Sequence, residues 1–503
     1  MKTKINRVLA AFTMILVLIS CSDEFIDVDP KGSVLEDNYY QTEAQAYSAM
    51  VAVYDILRKH SGGFENMIAM LNAGSDDHYA GGGGATDGTG IQSFSNYTID
   101  PSTIPASFWN DFYQGIFRAN KLLEKIPAIE MNEATKARFT AETRVLRAYY
   151  YFQLVTLYRD IPLITVPLPA SEIYDVTQAP RAEVYTFIEN ELAQSLDDLP
   201  PTITNMETEA GRLTRGAAQA LLGKVFLYQN KMDQAAAQLA EVNGVPGGSN
   251  QYGYELLDNF EDLWEVDNKF HSESILEVSH TNQSNTGWGN WGSGSDEGNS
   301  LNVMVGPRGY SRPAGSTAPD YAAGWSFSVV TADLHNAMLG DPRYDATILD
   351  MNTLVANGQA SYTPGYQDTG YFLKKFMPTN ADVTTGGGDA VLNYRQNTYI
   401  IRLADTYLME AEALGGTGAR AQALLDAVRA RVGLPSVPVS LNAIYNERRL
   451  ELAGEGHRWM DLVRTGRAAA VLGSRGFVAG KHEFLPIPLN ETENTQIVQD
   501  PNY

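Results

Sequence analysis

Apolar side chains recur at helical spacing over several long stretches of this chain, and that periodicity commits most of it to a helical scaffold. Across Ala134–Tyr158, Phe139, Leu146, Tyr150, Leu154 and Leu157 fall at steps of seven, four, four and three, so they share one helix face. Asp160-Ile161-Pro162 ends that helix, because proline pushes the residue before it out of the helical region. The same pattern predicts helices over about Thr42–Lys59 and Phe108–Ile126. Thr214–Gln229 aligns Ala218, Leu221, Leu222, Val225 and Tyr228, with Thr214 as N-cap. A turn at Asn230-Lys231 then leads to a partner helix ending near Val242. Tyr399–Leu414 and Ala419–Val432 form a further pair around Gly415-Gly416-Thr417-Gly418. Recurring helix pairs with short turns suggest tetratricopeptide-like units, here without the strict period of about 34 residues that a regular array keeps.

From Gly244 to about Gly388 the pattern changes. Gly, Asn, Ser and aromatic residues dominate, helical spacing is sparse, and only Ser274–Ser279 alternates like a strand. Long loops inside a folded domain are usually functional or disordered, and the aromatics favour ordered, functional loops. The fold class expected is therefore mainly α, with tetratricopeptide-like helix pairs forming a scaffold and a loop-rich second lobe carrying short strands. The chain divides into residues 1–20, 21–243 and 244–503, the last returning to the scaffold with its final helix pair.

Residues 1–20 have the layout of a secretory signal peptide: Lys2, Lys4 and Arg7, then an apolar run from Val8 to Ile19. That run is short of the about 20 residues a transmembrane helix needs. Leu18-Ile19-Ser20-Cys21 resembles the bacterial lipobox, in which the cysteine is acylated and becomes the first residue of the mature chain. Cys21 is the only cysteine, so it has no internal disulfide partner. One acyl chain holds a protein only marginally, whereas several make a durable tether. The acidic Ser22-Asp23-Glu24 that follows suits a solvated stalk.

Removing residues 1–20 deletes three of 37 positive charges and none of 60 negative ones, which takes the formal charge from −23 to −26. Such a surface repels phosphate backbones and argues against a nucleic-acid partner.

Three separated segments carry a resemblance. They are Ala141-Glu142-Thr143-Arg144-Val145-Leu146-Arg147-Ala148-Tyr149-Tyr150-Tyr151-Phe152, continuing to Tyr158-Arg159-Asp160-Ile161-Pro162-Leu163; Asn446-Glu447-Arg448-Arg449-Leu450-Glu451 through Gly456-His457-Arg458-Trp459-Met460-Asp461 to Arg464; and Phe484-Leu485-Pro486-Ile487-Pro488 with the ending Gln499-Asp500-Pro501-Asn502-Tyr503. In this order, behind a lipobox, they resemble the signatures of SusD/RagB-type nutrient-binding lipoproteins. The resemblance implies four tetratricopeptide-like units and a loop-rich second lobe. It also implies an outer-membrane lipoprotein that faces the cell exterior and forms a lid over a SusC-like, TonB-dependent barrel. Its ligand would be an oligosaccharide, or in some members a peptide; the family is not enzymatic and no cofactor is implied.

The signature residues themselves read as scaffold. Glu447 and Glu451, four apart, share a helix face, and with Arg448 and Arg449 they suit a paired network between helices. Arg144, Arg147, Arg458 and Trp459 read the same way, and Trp109 and Trp264 fall in core-like contexts.

A sugar site needs flat aromatic platforms flanked by hydrogen-bonding groups. Trp288 and Trp291, in Asn285-Thr286-Gly287-Trp288-Gly289-Asn290-Trp291-Gly292, are the first candidates, because a loop has little reason to bury two indoles. Asp77, His78 and Tyr79, ahead of the glycine run Gly81–Gly84, are the second, where the resemblance implies loops that line a glycan site. Tyr310, Arg312 and Trp325 are the third.

Catalytic patterns do not emerge. There is no His-Glu-x-x-His, the one cysteine is committed to lipid, and Gly81–Gly84 lacks the Lys-Ser/Thr of a phosphate loop. A surface glycoside hydrolase built on two carboxylates is the remaining enzymatic alternative. No residue group suggests a metal site by spacing.

Overall fold

The computed structural model describes residues 39–503. The signal segment and Cys21 lie outside the described residues. The scaffold helices are α1 (Glu43–Tyr54), α2 (Ser107–Lys125), α3 (Glu133–Tyr158), α4 (Arg181–Ser195), α5 (Arg215–Tyr228), α6 (Met232–Asn243), α7 (Leu403–Ala413), α8 (Gly418–Arg431), α9 (Leu441–Glu451) and α10 (Arg458–Arg464). Consecutive members pack as antiparallel neighbours: α2 on α3, α3 on α4, α5 on α6, α7 on α8. The chain-distant pair α6 and α7 also pack together, so the last helices return to the first ones.

Local chemistry explains the boundaries. Thr42 and Gln45 form a reciprocal capping box at the start of α1. Thr214 accepts from Ala217 N at 3.1 Å and starts α5 as expected. The predicted face of α3 is buried throughout, and from Val145 to Phe152 every residue is buried, whichever way it faces. This half of α3 is an inner helix, sandwiched between α2 and α4, and two of its tyrosines satisfy their buried polar tips by hydrogen bonding. Tyr150 donates to Val53 O at 2.5 Å and Tyr151 to Ile164 O at 2.7 Å. One boundary differs from expectation. Residues Thr398–Arg402 form a strand, and the helix begins only at Leu403. The β-branched and aromatic run Thr398-Tyr399-Ile400-Ile401 favours the extended form, and a partner strand is present to receive it.

The strands are short and paired in twos: β1 (His78–Gly81), β2 (Ile161–Pro162), β3 (Gln178–Ala179), β4 (Ser274–Val278), β5 (Phe327–Val330), β6 (Ile348–Asp350), β7 (Tyr371–Leu373) and β8 (Thr398–Arg402). The pairs are β1–β5, β2–β3, β4–β8 and β6–β7, all antiparallel. The β1–β5 pair joins two distant candidate segments. Its register, His78 to Val330 and Gly81 to Phe327, brings the glycine run beside the segment that follows Trp325.

Candidate functional site

The structure brings three of the predicted residues together. Trp288 and Trp325 lie nearly parallel, 24° apart with centroids 6.0 Å distant, and Trp291 stands across both at 5.5 and 5.6 Å, 88° and 76°. Phe64 continues the cluster edge-on to Trp291 at 5.7 Å, and Phe327 lies edge-on to Phe64 at 5.2 Å. Trp288 is 57 % exposed, while Trp291 and Trp325 are half-buried. The result is a stepped aromatic wall with one free indole face.

The loop that carries two of these indoles is held on several sides. The Asn393 amide clamps Thr286, accepting from its N–H at 2.9 Å and donating to its carbonyl at 2.8 Å. Asp296 accepts from the backbone N–H of Gly292 at 2.8 Å and of Gly298 at 3.2 Å. Burial raises its carboxyl above the usual range. Arg58 donates to Gly292 O at 2.9 Å, the Trp291 indole N–H donates to Ser300 Oγ at 2.7 Å, and Trp288 N–H donates to Asp389 at 3.1 Å. Such anchoring fixes the orientation of the indoles in the loop.

Beneath the loop, His280 Nε2 lies 2.7 Å from Ser61 Oγ, and Ser61 Oγ 2.7 Å from Thr398 Oγ1. His280 Nδ1 lies 3.1 Å from Glu297 O. The carbonyl requires a proton on Nδ1, so Nε2 accepts from Ser61, the polarity of a nucleophile–base pair. Ser61 and His280 are both buried, however, and burial depresses the imidazole to about 4. The pair braces the floor of the loop, out of reach of any substrate.

Polar groups that sequence reasoning missed border the wall. Asp87 accepts from Gly83 N–H at 2.6 Å and from Arg308 at 3.0 Å, closing the glycine turn against the second lobe. Gly88 has φ +70°, and a Cβ there would meet the Phe64 ring at 2.9 Å. The signal available was the aspartate inside a glycine-rich turn; its partner, 221 residues on, was not legible.

The other candidates lie elsewhere. Asp77 is buried and accepts from Arg449 Nε at 2.8 Å; burial, then the neighbouring Asp76, raises its carboxyl to about 6. Arg449 also holds Asp333 at 2.6 Å, and Arg458 holds Asp76 through two bonds of 2.8 Å. Asp76, Asp77 and Asp333 could converge on a cation, but guanidinium groups already supply the positive charge. His78 is buried, and burial, then Arg475, lowers its imidazole to about 3. Tyr79 lies under the Arg475 guanidinium at 5.4 Å. Tyr310 donates to Pro319 O at 2.6 Å, and Arg312 pairs with Asp320 at 2.7 Å, closing a separate loop.

A model described as the SusD family matches residues 272–503, and a second, described as starch-binding associating with outer membrane, matches residues 65–227. A solved structure titled laminarin binding SusD-like protein is 63 % identical, covers 92 % of this chain and 100 % of its own, and superposes with a TM-score of 0.91. Surface glycan-binding protein A from Bacteroides thetaiotaomicron, solved in complex with laminarihexaose, is 26 % identical over 92 % and 100 % of the two chains, with a TM-score of 0.81. A SusD-like protein of Bacteroides ovatus is 25 % identical over 91 % of this chain and 82 % of its own.

Proposed function

The chain belongs to the SusD family, and on that premise we propose that it is a cell-surface lipoprotein, anchored through Cys21, that captures laminarin-type oligosaccharides and delivers them to a SusC-like TonB-dependent outer-membrane transporter. One observation carries the ligand half of this reading: the exposed Trp288 indole, set on a pre-anchored wall with Trp291 and Trp325. Indole faces stack on the apolar faces of sugar rings, while Arg308, Asp87 and Asp389 offer hydrogen bonds to the hydroxyl edges. A wall whose faces turn through a right angle suits a glycan that curves better than a flat ribbon.

The similarity to a laminarin-binding relative and to one solved with laminarihexaose supports the choice of glycan. The family's association with the outer membrane supports the location, and the lipobox at Cys21 supports the tether. The mature chain is read as two regions, 21–243 and 244–503, with the wall built mainly by the second. Asp77, His78, Tyr79, Tyr310 and Arg312 act in this reading as supports for the loops around the wall. Titration calorimetry with laminarihexaose and maltohexaose tests it. Binding of the first, weak binding of the second and about tenfold weaker binding of the first in Trp288→Ala are expected; equal binding of both by wild type and variant would overturn the assignment of this wall.

A further inference from the structure

Asp389 stands beside the free indole face, and its backbone is clamped there. Its N–H donates to Thr286 O at 2.8 Å, and Asn393 Nδ2 donates to its carbonyl at 2.9 Å. It occupies the N-cap of a short 3₁₀ turn, Ala390–Leu392, yet its side chain does not cap that turn. The carboxylate reaches instead to the tryptophan loop, where Oδ2 accepts from the backbone N–H of Trp288 at 3.1 Å. A Cβ on Gly287 would come within 3.2 Å of that oxygen, so the glycine leaves the carboxylate its close approach. Asp389 is partly exposed, and its Oδ1 takes no hydrogen bond among the described residues.

No cation offsets this carboxylate. The segments that carry the indoles and Asp389, residues 281–300, 318–330 and 379–394, hold Asp296, Glu297, Asp320, Asp382 and Asp389, and no Lys, Arg or His. The cations that border the wall are paired elsewhere. Arg308 holds Asp87 at 3.0 Å, Arg58 holds Asp55 at 3.3 Å, and Arg312 holds Asp320 at 2.7 Å. Arg395, just past the third segment, pairs with Asp267. Among the described residues Asp389 makes no ion pair.

The two ends of this arrangement read different properties of a sugar. Stacking on an indole senses only the apolar face, which a neutral ring and a uronate ring share. The carboxylate senses charge. Ring hydroxyls donate to it in charge-assisted bonds, roughly twice as strong as neutral ones. A uronate or sulfated ring in the same place sets a second anion against Asp389. The indoles exclude water from one side, so that repulsion is screened less than in open solution. Like charge set across an interface suppresses the wrong partner.

We propose that Asp389 is a specificity-determining residue of the wall, admitting uncharged glycans and rejecting chains that carry carboxylate or sulfate groups. The inference rests on the glycan reading of the wall and adds a charge filter that stacking alone lacks.

Calorimetry at low salt tests it, with laminarihexaose and the same hexasaccharide oxidised to carboxylates at its primary alcohols. Wild type is expected to bind the neutral chain about tenfold or more tighter, with the gap narrowing as salt is raised. Asp389→Asn keeps an oxygen for the Trp288 N–H and removes the charge. It should weaken the neutral chain about threefold and tighten the carboxylated one, so that the preference falls about tenfold. Glu207→Gln removes the same charge from an exposed turn of the first region and should leave the preference unchanged. Equal binding of both chains by wild type would overturn the proposal, as would a preference unaltered in Asp389→Asn or lowered equally by Glu207→Gln. Wild type that binds neither chain, or Trp288→Ala that binds laminarihexaose as wild type does, would instead overturn the glycan reading of the wall.

Discussion

Trp288 and Trp291 are three residues apart, yet their surroundings give them separate roles. Trp288 is more than half exposed, so its removal sacrifices little packing. Trp288→Ala should lower laminarihexaose affinity about tenfold, or ~1.4 kcal/mol, and shift the melting point by less than about 2 °C. Trp291 is half-buried against Phe64 and spends its N–H on Ser300. Trp291→Ala should therefore cost about 2 kcal/mol of stability as well as affinity, read as a lower urea midpoint. His280 gives a pH prediction. Burial depresses it to about 4, below the unfolded value of about 6.5. Its contribution is fully present above the unfolded pKa, declines as pH falls below about 6.5, and is lost on passing the folded value. At about 1.4 kcal/mol per unit the span reaches about 3 kcal/mol. Melting temperatures at pH 7.5 and 5.0 should differ less in His280→Gln than in wild type, even though the variant is less stable at both. The two loop indoles were legible because exposure of tryptophan in a polar, glycine-rich loop needs a reason. His280 was not, since nothing in its own segment announces Ser61 219 residues away.

At the scale of elements, the wall depends on a turn that belongs to neither tryptophan segment. β1 pairs with β5, the glycine run follows β1, and Gly88 lets the chain pass against Phe64. Gly88→Val would force a β-branched residue to positive φ and drive its side chain into the ring. A destabilisation of about 2–3 kcal/mol is expected, with a loss of laminarihexaose affinity that Arg308→Ala should reproduce without the stability cost. Melting curves paired with calorimetry separate the two effects. The scaffold helices could be read from spacing because each buries a face set by its own residues. Helix α4 was missed, since Val184, Ile188 and Leu192 share a face, at steps of four, but Arg181, Glu183, Glu189 and Glu191 crowd the segment with charge. The β1–β5 and β4–β8 pairings were illegible for a different reason. The alternation over Ser274–Ser279 marks β4 itself, but each of these strands meets a partner more than a hundred residues distant, and no local pattern encodes which one.

Across the whole molecule, buried charge joins what the sequence divides at residue 243. Arg402, at the end of β8, donates to Glu455 at 2.9 Å, to Glu273 at 2.9 Å and to Glu451 at 2.6 Å. Arg343, from the loop-rich region, holds Glu447 at 2.7 Å and Glu451 at 2.8 Å, and Lys375 holds Glu455 at 2.8 Å. Asp405 of α7 accepts from Arg448 at 2.7 Å and faces Lys224 of α5 at 3.6 Å, which carries the network into the first region. The surrounding arginines hold the Glu451 carboxyl well below its ordinary range despite burial. Removing one cation leaves buried carboxylates short of a partner, which costs more than the pair itself is worth. Arg402→Met should therefore destabilise the protein by about 3–5 kcal/mol, largely independent of salt because the network is buried. Because the network spans both regions, scanning calorimetry should show one transition displaced to lower temperature. Two separated transitions in the variant would mean that residues 244–503 can unfold alone, and that the network, rather than the packing of α6 on α7, is what makes the regions a single unit.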